Sequence, residues 1–158
     1  MTRGAPMQLA AALLAATATA ACAADPAPSV EVRSVTPDQI TPLDDALDDL
    51  TITVRYQDGD GDLGGGTAEI RDCRASDVVI DTAIPQIAPQ AGDHITGTLE
   101  LHINDIGDLT PAALPRPCAD LGVAPLATGT TVFCVTLVDA AGHRGSGDCT
   151  RPIAVLAR

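Results

Sequence analysis

Apolar and polar positions alternate strictly over short stretches of this chain, which is the period of an extended strand with one buried face. Residues 50–56 (LTITVRY) set Leu50, Ile52, Val54 and Tyr56 on one side and Thr51, Thr53 and Arg55 on the other. Residues 97–103 (GTLELHI) set Leu99, Leu101 and Ile103 against Glu100 and His102, and residues 67–73 set Ala68 and Ile70 against Glu69 and Arg71. Residues 131–138 place Phe133, Val135 and Leu137 on one face and form the strongest strand signal. Residues 30–35 (VEVRSV), the short 78–80 and 153–156 bring the count to seven. Seven short strands with loops between them predict an all-β, antiparallel β-sandwich. Thr41-Pro42 and Thr110-Pro111 have the form of helix starts, with Leu43, Ala46, Leu47 and Leu50 at helical spacing after the first. Each falls between strands and reads as part of a loop.

Composition narrows what such a sandwich can be made of. The 158 residues are 46% hydrophobic but 1% aromatic, with one Tyr, one Phe and no Trp, so the core must come from Val, Leu, Ile and Ala. Lys is absent, all nine cations are Arg, and 18 of the 21 acids are Asp, giving a net charge of −12. Asp favours turns and cation sites over helices. No basic stripe is present to replace the counterions of a phosphate backbone, which argues against a nucleic-acid partner. The length suits one domain.

The first segment reads as an address. Arg3 supplies a positive start, and residues 9–16 (LAAALLAA) are apolar but too short to span a bilayer. Thr19, Ala20 and Ala21 then lead to Cys22. This resembles the bacterial lipoprotein signal, in which small residues precede a Cys that becomes the acylated N-terminus; Thr19 stands where that family has an aliphatic residue. The resemblance implies a signal at 1–21, lipidation of Cys22 and a tether at 22–29 before a domain at 30–158. Ala23, in place of Asp, implies sorting to the outer membrane. The alternative is ordinary cleavage after Ala18-Thr19-Ala20, leaving Cys22 free. Removal of the signal takes away Arg3 and no acid, so the mature chain has a net charge of −13 and its membrane attachment must come from lipid.

Residues 132–146 (VFCVTLVDAAGHRGS) resemble the last hairpin of bacterial immunoglobulin-like and fibronectin-like surface modules, with Asp139, Gly142, His143 and Ser146 near the positions of the Asp-x-x-Gly-Asn-x-Ser turn. His143 replaces the usual Asn and Gly145 displaces the Ser. The resemblance implies an immunoglobulin-like sandwich and supports fold more than function. Without Cys22, four cysteines remain, an even number for an oxidising compartment. In that strand order Cys73 ends the third strand at the end where Cys118 lies, while Cys134 and Cys149 sit on neighbouring strands of the final hairpin. The expected pairings are therefore Cys73–Cys118 and Cys134–Cys149, one of three possible connectivities. Zinc is the weaker reading, because no two cysteines have C-x-x-C spacing.

Chemistry concentrates in Asp58-Gly59-Asp60-Gly61-Asp62-Leu63-Gly64, where three carboxylates alternate within a glycine-rich turn. Like charges so close repel, and a calcium ion reverses the sign of that interaction by taking several oxygen ligands at once. Counting Asp58 as position 1 places Glu69 at position 12, as in the D-x-D-x-D-G-x5-E loop. Leu63 occupies the position of that loop's Gly, and the flanks read as strands. The segment thus resembles the aspartate-rich calcium loops outside true EF-hands, and DGDGDLG turns of bacterial envelope lipoproteins are similar. Asp139 starts the loop at the same end of the sandwich and is an additional candidate ligand. The competing reading is a solvated Asp-Gly turn, with Asp139 stabilising only its own turn.

Asp44, Asp45, Asp48 and Asp49 read as a solvated acidic face. His94, His102 and His143 show no metal-ligand spacing; a blue-copper site is excluded by the lack of Met outside the signal; and no G-x-S-x-G occurs. The expected function is non-catalytic: a lipid-anchored envelope protein whose rigid strands present loops to a protein or glycan partner, with calcium as the expected ion. The main alternative is a metal-free structural subunit. An envelope hydrolase would instead require a pocket burying an acid, a base and a nucleophile together.

Overall fold

The computed structural model describes residues 26–41, 49–74, 79–88, 94–104, 106 and 118–156. The leader, Cys22, Asp44, Asp45, Asp48 and both Thr-Pro-initiated stretches beyond Thr41 lie outside them. The strands are β1 (Ser29–Thr36), β2 (Gln39–Ile40), β3 (Leu50–Asp58), β4 (Thr67–Asp72), β5 (Val79–Ala83), β6 (Ile95–Ile103), β7 (Thr130–Thr131), β8 (Phe133–Val138), β9 (Asp148–Cys149) and β10 (Ile153–Val155). One 3-10 turn, Ala119–Leu121, is present among the described residues. No helix among them is long and apolar enough to cross a membrane.

The chain is all-β and antiparallel in its main ladders. One sheet has the order β1-β3-β6 and the other β5-β4-β8-β9, while β10 joins β2 in parallel and β7 antiparallel. Strands β1, β3 and β6 pack against β4 and β8 as the two layers of a β-sandwich. The short fourth strand extends to Ala83 and pairs at the outer edge of β4.

The alternating residues meet between the sheets. Ile52, Val54, Tyr56, Leu99, Leu101 and Ile103 from one sheet join Ala68, Ile70, Phe133, Val135 and Leu137 from the other in a single cluster. Gly97 faces Tyr56 across the β3–β6 ladder, and a Cβ there would collide with the phenol ring. A glycine inside this strand therefore makes room for the single tyrosine.

A second, smaller cluster lies on the outer side of β8. Cys73, Cys118, Val132 and Cys134 pack there with Leu121, Val123, Leu126 and Cys149. Two disulfides, Cys73–Cys118 and Cys134–Cys149, run through it, the pairings that strand order predicts. Cys134 stands directly opposite Cys149 in the β8–β9 register. Both bonds lie toward the end of the sandwich where β4 finishes and β8 begins.

Candidate metal centre

The aspartate loop forms at the other end, where β3 hands over to β4. Asp58 is the last residue of β3 and is 1% exposed. Its Oδ2 accepts the Leu63 N–H at 3.0 Å, which folds the loop back upon itself. Leu63 is completely buried in the main core, so an apolar anchor holds the acidic loop down. Gly61 and Gly65 have φ of 77° and 83°, backbone that side chains rarely adopt. At Gly66 a Cβ would run into the backbone of Val138 and Asp139, so glycine lets this loop lie against the end of β8.

Asp139 follows β8 at that point and is 3% exposed. The Ala140 N–H donates to the Asp62 carbonyl at 3.1 Å and ties the two loops together. Asp139 also organises its own turn: Oδ1 accepts the His143 N–H at 2.8 Å, and Oδ2 lies 2.9 Å from His143 Nδ1.

These contacts bring together Asp58, Asp60, Asp62 and Asp139, each offering one carboxylate oxygen, all within 4.8 Å of one another. Oxygens about 2.4 Å from a common calcium ion can be at most about 4.8 Å apart, so the spacing suits that ion. Oδ1 of Asp58, Asp60 and Asp62 is in each case buried and without a hydrogen-bond partner. Buried carboxylate oxygens normally find donors, and three orphans at one point mark a place that a cation would satisfy. The donor set is all oxygen, which selects a hard ion such as calcium over a soft transition metal.

The electrostatics agree with the geometry. Burial raises the Asp58 carboxyl above its usual range against the Leu63 N–H, with Asp60 and Asp139 adding to the rise. Asp62 is also raised, first by burial and then by its contact with Asp60 and the charges of Asp139, Asp60 and Asp58. His143 is raised by its hydrogen bond to Asp139, against some desolvation, with the Asp139, Asp60 and Asp62 charges helping. Burial leads for the two aspartates and the Asp139 hydrogen bond for His143, and neighbouring negative charge adds to all three.

Glu69 does not join the cluster. Its two carboxylate oxygens are taken by the Arg144 guanidinium, and it sits within β4 opposite Thr136. Position 12 of a calcium loop returns to the ion only when the exiting chain coils into a helix. Here the exit is a strand, which advances about 3.3 Å per residue and carries Glu69 away. The expectation for Glu69 is corrected on that ground. His143, by contrast, is a neighbour of the site that sequence reading assigned only to a turn. Its signal was the i, i+4 relation to Asp139 across Gly142.

Other candidates are engaged elsewhere. The sulfurs of Cys73, Cys118 and Cys134 lie close enough for a metal, but all three are in disulfides and offer no thiolate. His102 pairs with Thr51 across β3 and β6. A groove of 440 Å³ beside the disulfides is lined by Leu121, Val123, Leu126 and Pro152, with Thr130, Asp148 and Thr150 as its polar side chains. All three are committed to the backbone: Thr130 to the Ala127 carbonyl, Asp148 to the Val32 N–H and Thr150 to the Phe133 N–H. In comparisons with protein-family models, curated proteins and solved structures, the chain matches none.

Proposed function

We propose that this chain is a non-catalytic, lipid-anchored cell-envelope protein whose β-sandwich binds calcium through Asp58, Asp60, Asp62 and Asp139. The carrying observation is the convergence of three buried, unpartnered carboxylate oxygens between two loops that are already joined by a backbone hydrogen bond. A cation there links the β3–β4 loop to the turn after β8 and stiffens that end of the domain. The strands then act as a scaffold for recognition of a protein or glycan partner. Lipidation at Cys22 and outer-membrane sorting rest on the leader's sequence. The groove beside the disulfides lends no support to hydrolysis, since its polar side chains are occupied by backbone groups.

Calorimetry on the mature chain tests the metal. Calcium should give a saturable heat, and Asp58→Asn/Asp60→Asn/Asp62→Asn should abolish it; no heat, or equal heats in both proteins, rejects the site. Mass spectrometry of the N-terminal peptide from the native membrane should show an acylated Cys22. A metal-free structural subunit is the second reading, favoured by the two hydrogen bonds that Asp139 already makes to His143. It predicts that a chelator leaves both stability and partner capture unchanged.

A further inference from the structure

The tether and the aspartate loop leave the sandwich at the same end. Ser29, the first residue of β1, pairs with Gln57, the immediate neighbour of Asp58. Ser29 also bridges to Ser146 just beyond the Asp139–His143 turn. Pro28 is buried, and its carbonyl occupies the space that a side chain at Gly145 would take. The chain therefore enters the domain between the two loops that carry the cation site.

Distance then decides which end faces the bilayer. Six Cα-to-Cα steps lead from Cys22 to Pro28 and can span at most about 22 Å. The nine residues of β3 extend about 30 Å to the far end of the sandwich. An acyl group on Cys22 thus holds the aspartate end close to the headgroups and leaves the disulfide end outermost. On the solvent side of the buried oxygens, the Asp60 and His143 side chains are 37% and 44% exposed. Calcium takes six to eight oxygens, more than the four aspartates present as single ligands. Without the ion, this acidic end of a mature chain with net charge −13 is repelled by an anionic surface.

We propose that the calcium centre lies at the membrane-facing end of the sandwich and takes phosphate oxygens of anionic lipid headgroups as its remaining ligands. The inference rests on the reading of Cys22 and the four aspartates given above. Calcium then sets the posture of the domain, drawing it onto the lipid surface, and chelation lets it stand off on its tether. The loops beside the ion then face the bilayer, and the segment 118–123 faces away from it.

The test uses the acylated full-length protein in phosphatidylcholine vesicles with and without phosphatidylglycerol. A fluorophore is placed on Ala141→Cys or Ala124→Cys, with energy transfer to a headgroup-labelled lipid. The label at 141 should lie nearer the surface by about 20–30 Å. Calcium should bring it closer only when phosphatidylglycerol is present, and Asp60→Asn should remove that approach. Equal distances, or a nearer label at 124, overturn the orientation. Calorimetric calcium binding without a phosphatidylglycerol-dependent approach overturns lipid coordination while the metal site stands. Absence of calcium heat in the same sample strikes the metal site itself.

Discussion

Leu63 lies fully buried inside a run of Asp and Gly, and its N–H donates to Asp58 Oδ2. One side chain thereby fixes both the depth of the loop and the aim of its first carboxylate. Leu63→Ala should cost about 2–5 kcal/mol in urea unfolding and weaken calcium binding, whereas Leu63→Met should stay within about 1.5 kcal/mol. An unchanged midpoint for the Ala variant would show that Leu63 is not the anchor. The raised carboxyls give a second prediction with a definite sign. In chelator, Asp58 and Asp62 bind protons more tightly folded than unfolded, so the stability they contribute is full below their ordinary value of 3.8 and declines as pH rises through the raised range. His143 acts in the same direction above its ordinary 6.5. Asp120, lowered by Arg71, acts oppositely but only below 3.8, outside the window. Melting followed by circular dichroism in chelator should therefore fall as pH rises above these ordinary values, and the added stability from calcium should widen over the same interval. A chelated protein that grows more stable toward pH 8 contradicts the crowding. Of this site, Asp58, Asp60 and Asp62 were legible because adjacency alone reveals them. Asp139 was legible only through strand order, and Glu69 was misplaced because a count of twelve assumes a helix.

Regular strands were easier to read than their irregularities. Val30, Val32 and Val35 are out of phase for one continuous strand, yet Val32 pairs with Val54 and Val35 with Ile52, both core residues. A bulge between Val32 and Ser34 absorbs the odd residue and returns Val35 to the inner face. Strand β8 shows the opposite limit: Phe133, Val135 and Leu137 read correctly as the inner face, but Cys134 and Thr136 are buried as well. The cover of Cys134 comes from Cys118 and the segment after it, a contact between distant parts of the chain that alternation cannot encode. The end of β4 depends on a polar network equally hidden from pattern. Asp72 is fully buried and accepts from the Arg74 N–H, the Arg74 guanidinium and Thr131 Oγ1. Arg74 is only 7% exposed, so Asp72→Ala strands a buried cation and should cost about 3–5 kcal/mol in chemical denaturation. Replacing Asp72 and Arg74 together by apolar residues should recover a large part of that loss; if the double variant is as unstable as the single, the pair is not the cause.

With one Phe, one Tyr and no Trp, the sandwich relies on different reinforcement at its two ends. At one end the disulfides close chain separations of 45 and 15 residues, contributing about 4 and 3 kcal/mol in a chain-entropy treatment. At the other, the proposed calcium ion at a hundredfold excess over its Kd would add about 2.7 kcal/mol. Cys134 and Asp139 are five residues apart along β8, about 17 Å, which exceeds the range over which perturbations usually couple. The two devices should therefore act independently. Hydrogen exchange should show that chelation speeds residues 59–66 and 139–146 while leaving 118–126 unchanged. Cys73→Ala/Cys118→Ala should do the reverse, and in urea unfolding its cost and that of chelation should add within about 0.5 kcal/mol. Exchange that accelerates everywhere on chelation, or a combined cost well above the sum, would mean that the ion holds the whole sandwich together, with the fold itself calcium-dependent and not merely the two loops around residues 58–62 and Asp139.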